Sequence, residues 1–298
     1  MRFYNLGILT VVFLANISYL VSASRDTPFV KGVYFDRIIT VVLGSSSYDV
    51  SMQDSYLSSL AQEGISLTNF HAIWHPAQPN YFAMICASKG GVLTDFTVDV
   101  DGPSLPNLLE ASGVSWKAYI ENYPGNDFTG DNTKDELYYR KYNPFISMNE
   151  IRNNHTLVSK IVNADEFVED IAKESLPQYV FYTPNTRNSG HLTDLSYASN
   201  YLRTKFIPLI KPVLTNSRTL LVITFDESTY FDHFNLKKYN QIYTVLIGPN
   251  VLTSYIHVDE LRYNHYSILP TIQLNWNLTE LGTGDDKKAT PLSPYLFL

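Results

Sequence analysis

The chain has 298 residues, 29 acids against 22 bases for a formal charge of −7, 45% hydrophobic residues and a single cysteine. That composition describes a globular chain, excludes a disordered or fibrous one, and with one thiol excludes an internally stapled disulfide scaffold. The acidic balance and the lack of any basic stripe argue against a nucleic-acid binder, whose affinity comes from clustered Lys and Arg.

The first segment reads as an address. Arg2 precedes the apolar stretch Leu6 to Leu20, and Val21-Ser22-Ala23 supplies the small residues that signal peptidase accepts. Residues 1–23 are therefore expected to be a signal peptide and 24–298 a single secreted domain. The rival reading is a membrane anchor, but Asn5, Asn16 and Ser18 interrupt the run and leave it short of the roughly 20 apolar residues a spanning helix needs. No later stretch is long and apolar enough to span, so the mature chain is expected to lack a transmembrane segment. Asn154-His155-Thr156 and Asn277-Leu278-Thr279 are acceptor sequons, expected to carry glycans on a chain in the secretory route.

Along the mature chain, apolar β-branched runs alternate with stretches of helical period. Arg37 to Leu43 reads as a buried strand and Ser51 to Glu63 as a helix. Leu105 to Ser112 is the next predicted helix and Ser115 to Glu121 the next strand. The segment Tyr123 to Met148, rich in Asn, Asp and Tyr, reads as an irregular excursion. Asp165 to Glu174 is a predicted helix, Gln178 to Thr183 a strand, Ser196 to Leu214 a helix broken near Pro208, and Thr219 to Phe225 a strand. Tyr243 to Ile247 is one more strand and Asn264 to Asn275 a closing helix. Strands separated by helical crossovers predict an α/β fold, with a parallel or mixed sheet and its ligand site beyond the carboxyl ends of the strands.

Several polar clusters fall at those ends. Asp226-Glu227 follows the strand Thr219 to Phe225; a carboxylate pair there would suit a hard divalent cation or zinc, or simply cap a solvated turn. His75-Pro76-Ala77-Gln78-Pro79-Asn80-Tyr81 is an extended, proline-framed loop before an apolar helical run that includes Cys86, a small buried hydrophobe by its surroundings. Asn188-Ser189-Gly190-His191 presents an imidazole after a strand. His265 opens the last helix, where the dipole would lower its pKa. Seven histidines with no CxxC or HExxH spacing exclude the short zinc signatures.

Taken in order, these motifs resemble the secreted metal-dependent phosphoesterases of the fungal acid phosphatase and bacterial phospholipase C type. The matching pieces are Phe35-Asp36-Arg37 leading into Val41-Val42-Leu43, His75-Pro76-x-Gln78-Pro79-Asn80-Tyr81, Lys141-x-Asn143-Pro144, Thr183-Pro184-Asn185, Gly190-His191, Thr224-Phe225-Asp226-Glu227 and Asn264-His265-Tyr266-Ser267. The resemblance implies an alkaline phosphatase-like sandwich, with a mostly parallel central sheet and helices on both faces. It also implies a metal held by a Glu-Asn pair after the first strand and by the Asp-Glu pair after a late strand. A Ser or Thr in the His-Pro-Ser-Gln-Pro-Asn loop would attack phosphorus, and histidines would stabilise oxygens or protonate the leaving group.

By that resemblance Asp226 and Glu227 keep metal positions, and His75, His191 and His265 keep catalytic ones. The first metal pair, however, reads Gly44-Ser45 and the nucleophile position reads Ala77. The family's Lys-His-Asn-Pro has become Lys141-Tyr142-Asn143-Pro144, and its Asp-Gly-His-Asp has become Ser189-Gly190-His191-Leu192. Loss of a nucleophile removes orders of magnitude of rate where catalytic groups act as a unit. The expectation is a secreted pseudoenzyme that binds a phosphate ester or phospholipid-like ligand. A divalent metal is implied by the family, but half of its protein shell is gone. The competing expectation is an active metal-dependent acid phosphatase or phosphodiesterase with a rearranged site. A structural wall protein is a third reading, against which stands the lack of repeats or a Ser/Thr-rich stalk.

Overall fold

The computed structural model describes residues 29–229, 239–282 and 289–298. The expected signal peptide, residues 1–23, lies outside the described residues.

The chain opens with strand β1 (Arg37–Leu43), then helices α1 (Tyr48–Ser51) and α2 (Ser55–Glu63) and strands β2 (Ile65–Leu67) and β3 (Phe70–His71). Helix α3 (Gln78–Cys86) and helix α4 (Leu105–Ala111) lead to β4 (Trp116–Ile120). The excursion Tyr123 to Met148 ends in the short helix α5 (Pro144–Ser147), and α6 (Asn149–Arg152) and α7 (His155–Val158) follow before β5 (Ile161–Asn163). Helix α8 (Asp165–Ala172), β6 (Tyr179–Thr183), α9 (Leu195–Tyr201), α10 (Ile207–Asn216) and β7 (Thr219–Phe225) repeat the crossover pattern. β8 (Thr244–Ile247), β9 (Val258–Asp259), β10 (Tyr263–Asn264) and helix α11 (Ile268–Trp276) close the fold.

Eight strands form one sheet in the order β5-β4-β6-β1-β7-β8-β2-β9. The five from β5 to β7 are parallel, whereas β8 runs antiparallel to both β7 and β2. This mostly parallel sheet with its helices is the α/β architecture the sequence predicts. β1 and β7 have no polar alternation because both are covered on two faces, which is what buried parallel strands require. β10 pairs with β3 in a small second sheet. The short strands β2, β3, β5, β9 and β10 escape sequence reading because two or three residues carry no periodicity.

The predicted closing helix from Asn264 begins instead at Ile268, after β10 and a 3-10 turn, and two further helices are divided differently from the sequence expectation. The predicted helix Ser51 to Glu63 is cut in two because the Asp54 carboxylate caps α2, accepting from the Tyr56 and Leu57 amides at 3.0 and 2.9 Å. The predicted break near Pro208 is instead a wider π turn over Leu202–Phe206, after which Pro208 sits in the first turn of α10, where its missing N–H costs little.

β1, β6 and β7 are neighbours in register, with Leu43 opposite Phe225 and Val41 opposite Tyr182. Their carboxyl ends therefore deliver Gly44, Pro184 and Asp226 to one rim of the sheet.

Candidate functional site

β1 and β7 end side by side, so Gly44-Ser45 lies next to Asp226-Glu227. The Asp226 amide donates to the Leu43 carbonyl at 3.0 Å and the Ser46 amide to the Glu227 carbonyl at 3.0 Å, which fixes the two turns together. Asp226 is wholly buried, and neither carboxylate oxygen has a hydrogen-bond partner among the described residues. His191 Nε2 lies 3.2 Å from Asp226 Oδ2, an ion-pair distance without the alignment of a hydrogen bond. Glu227 is paired differently: His75 Nδ1 donates to its Oε2 at 2.5 Å, and Ser45 Oγ to its Oε1 at 3.4 Å. Burial, reinforced by Asp226 and Asp95, pushes the Glu227 carboxyl above its usual range despite the opposing bond from His75.

His191 is held by a loop that folds back onto β1. The Gly44 amide donates to the Ser189 carbonyl at 2.8 Å. A side chain added at Gly44 would place its Cβ 3.0 Å from the Ser189 oxygen and 3.1 Å from His191 Cγ and N. The loop is anchored from behind by Glu121, at the end of β4. Its Oε1 accepts from Tyr182 and Tyr201 hydroxyls at 2.9 and 2.6 Å, and its Oε2 from the Asn185 amide and Asn188 Nδ2 at 2.8 and 2.7 Å. Tyr142 then stacks on the His191 ring, centroids 4.0 Å apart and planes 15° apart. Burial and the nearby carboxylates of Asp226, Asp95 and Glu227 drive the Tyr142 phenol far above its ordinary pKa, so it is a poor nucleophile.

Ala77 immediately precedes α3, buried, with helical dihedrals and no capping side chain. The open first turn is instead satisfied by Asp95, whose Oδ1 accepts from the Gln78 amide at 3.0 Å, while Lys141 Nζ donates to its Oδ2 at 2.8 Å. One turn along, the Tyr81 hydroxyl is buried without a hydrogen-bond partner among the described residues, within the field of Asp226, Tyr142, Asp95 and Glu227. Asn80 shapes the loop itself, accepting from the Ile73 and Trp74 amides at 2.8 and 3.1 Å.

His265 stands apart from this cluster. It lies in a 3-10 turn ahead of α11, wholly buried, and its Nε2 donates to the Phe225 carbonyl at 3.0 Å. Its pKa is lowered to about 4 by desolvation, not by the helix dipole that the sequence suggests. Its contact is with the backbone that presents Asp226. Ser45, Asp226, Glu227, His75 and His191 thus converge, Ala77 borders them at the start of α3, and His265 supports them from behind. Asp95 was absent from the sequence reading, and Tyr81, Ser189 and Glu121 were named there without the roles they have in the structure. Tyr81 ends the proline-framed motif and Glu121 ends a predicted strand, so both had a positional signal, whereas Asp95 had none.

A model of the phosphoesterase family matches residues 42–279. The chain belongs to the phosphoesterase family. It is 34% identical over 266 residues to a probable acid phosphatase of Kluyveromyces lactis, covering 86% of this chain and 62% of that one. An acid phosphatase of Aspergillus fumigatus is 33% identical over 272 residues, with 86% and 58% covered. A phosphatidylinositol-3-phosphatase of Mycobacterium tuberculosis is 28% identical over 234 residues, with 76% and 71% covered. The phosphoesterase chain thus spans about three fifths of the length of its fungal relatives. Among solved structures, the phosphonate monoester hydrolase of Agrobacterium radiobacter superposes with a TM-score of 0.59 at 11% identity, covering 87% of this chain and 77% of that one. A Vibrio parahaemolyticus protein of the alkaline phosphatase superfamily gives 0.54 at 13%, with 82% and 66% covered. Both share the fold.

The phosphoesterase family implies a metal, and the fit of these residues to one is incomplete. The bare oxygens of Asp226 would welcome a cation, but among the described residues no group of three or more His, Cys, Asp or Glu side chains is placed to hold one. Where a first-strand carboxylate would enter, the Ser189 to His191 loop already stands against Gly44. The chain keeps carboxylate–imidazole pairs in place of a ligand shell.

Proposed function

We propose that this chain uses the phosphoesterase fold to bind a phosphate ester, including a phospholipid-type headgroup, without turning it over, and that it acts outside the cell. The observation that carries the reading is the Ala77 methyl at the start of α3. Covalent phosphoryl transfer needs a lone pair held in line with phosphorus, and a methyl has none. The nearby serines do not replace it. Ser45 Oγ is turned to Glu227, and Ser51 Oγ donates to Ser46 Oγ at 2.8 Å, both on the β1 side of the site.

The acid phosphatase and phosphatidylinositol-3-phosphatase relatives support a phosphate ester as ligand class. Secretion rests on the Arg2 to Ala23 leader. No helix among the described residues is long and apolar enough to cross a membrane. Asn154 and Asn277 are both exposed, as glycan acceptors must be. Mass spectrometry of the chain from the culture medium is expected to give a first residue near Ser24 and glycans at both sites.

The deciding experiment is a turnover assay of the purified chain with Mn, Mg, Ca or Zn and a chromogenic phosphate ester at acid and neutral pH. Background rates are expected throughout. Metal-dependent hydrolysis that Asp226→Asn abolishes would overturn the reading. One observation favours a second reading, a metal-dependent hydrolase with a rearranged site: a cation would relieve the unpartnered Asp226 oxygens. That reading requires calorimetric binding of Mn or Zn that Asp226→Asn removes.

A further inference from the structure

The first turn of α3 faces an anion that the chain supplies itself. Asp95 accepts from the Gln78 amide with one oxygen and from Lys141 with the other. Pro79 has no N–H and the Asn80 amide turns back to the Ala77 carbonyl at 2.9 Å, so the Gln78 amide is the donor this turn presents; at the positive dipole end, with the Lys141 ammonium beside it, it forms a seat for an oxyanion. We propose that Asp95 is a built-in occupant of this seat, and that a tetrahedral oxyanion such as phosphate binds there by displacing the Asp95 carboxylate from Lys141. This deepens the binding reading above and rests on it.

Three further features support displacement. The backbone around Asp95 is pinned independently of its carboxylate, because Gln78 Nε2 donates to the Thr94 and Phe96 carbonyls at 2.8 and 2.9 Å. The carboxylate can therefore swing out while the loop stays. The Asp95 and Lys141 side chains are only partly covered, 29% and 24% exposed, so a solute can reach the pair. The Tyr81 hydroxyl, fully buried and without a hydrogen-bond partner among the described residues, lies in the field of Asp226, Tyr142 and Asp95 and is a donor left for an oxyanion. An unused buried donor costs free energy until a ligand arrives. A tethered carboxylate competes at millimolar or higher effective concentration, which weakens an incoming anion by about tenfold or more.

The test is calorimetric titration of inorganic phosphate, at neutral pH with chelator present, into the unmodified chain, Asp95→Asn, and Asp95→Asn with Lys141→Met, with thermal melts alongside. Asp95→Asn is expected to bind phosphate at least about tenfold more tightly than the unmodified chain, and Lys141→Met to erase that gain. Equal affinities overturn the proposal, as does a gain that survives Lys141→Met or the absence of phosphate binding by chains that melt as folded. Should Asp95→Asn not fold, the unmodified chain decides: saturating phosphate is expected to move the Asp95 carboxyl carbon NMR resonance, and an unmoved resonance overturns the proposal. Vesicles with and without a phosphomonoester lipid distinguish a headgroup from free phosphate as the displacing anion. Metal-dependent turnover would end the non-catalytic reading and leave the seat standing; failure of displacement would do the reverse.

Discussion

The Gly44 amide and the Ser189 carbonyl are joined at 2.8 Å, so the loop bearing His191 rests on the spot from which a first-strand side chain would project. Gly44→Glu, which restores the residue type the family resemblance implies, is expected to push that loop away. With contacts of 3.0 to 3.1 Å at the added Cβ, overpacking should cost about 1–3 kcal/mol, read as a lower urea midpoint. An unchanged midpoint would mean that the loop moves freely and that the closed position carries no meaning.

Glu121 accepts four hydrogen bonds, two per oxygen, and is the anchor of the same loop. Glu121→Gln turns one acceptor oxygen into a donor that faces donors. The expected loss is about 1–3 kcal/mol, with faster amide hydrogen exchange in residues 185–191 than at β1. Uniform exchange across both segments would contradict an anchoring role.

The strand framework was legible because it rests on local pattern. β1 and β7 match the predicted ranges, since a seven-residue run dominated by apolar and β-branched residues has few other uses. The site was legible only where a motif follows a strand end: Asp226, Glu227, His191 and His75 meet as the topology requires. Asp95 was illegible because its role depends on a loop reaching back 17 residues in sequence to the Gln78 amide, and no spacing rule encodes that contact. His265 was assigned to the chemistry because the Asn264-His265-Tyr266-Ser267 block matches the family resemblance at a catalytic position. Packing against Phe70 and the Phe225 carbonyl makes it a buried brace.

That brace sets an acid limit on stability. His265 titrates near 4 in the folded chain against 6.5 when unfolded, so between those values the unfolded state holds more protons. Its stabilising contribution is present above pH 6.5 and is lost as pH falls toward 4, up to about 3 kcal/mol. His265→Gln, with an amide that can still reach the Phe225 carbonyl, should lower stability at neutral pH and flatten the acid slope. Denaturant midpoints measured across that window give the answer, and a slope unchanged in the variant would remove His265 as its source.

Glu227 acts with the opposite sign. Its folded carboxyl titrates above the usual 4.5, so the folded state binds the extra proton and stability falls as pH rises through the folded value. Glu227→Gln keeps an oxygen for the His75 N–H and removes the buried charge. The variant should gain on the unmodified chain as pH climbs above 4.5, in the same midpoint series, and a constant difference would show that the charge is not the cause.

Ala77→Ser places a hydroxyl where the family resemblance implies a nucleophile. Capping serines usually stabilise a helix by about 1 kcal/mol, but here Ala77 has helical dihedrals and Asp95 already takes the Gln78 amide. The stability change is therefore expected to stay within about 0.5 kcal/mol. The new hydroxyl also finds no complete metal shell among the described residues, and the loop over Gly44 closes the β1 side. Turnover of a chromogenic phosphate ester should remain at background with every divalent metal tried. If Ala77→Ser alone produces metal-dependent hydrolysis, the rest of the catalytic apparatus is intact, and the loss of function reduces to one methyl group.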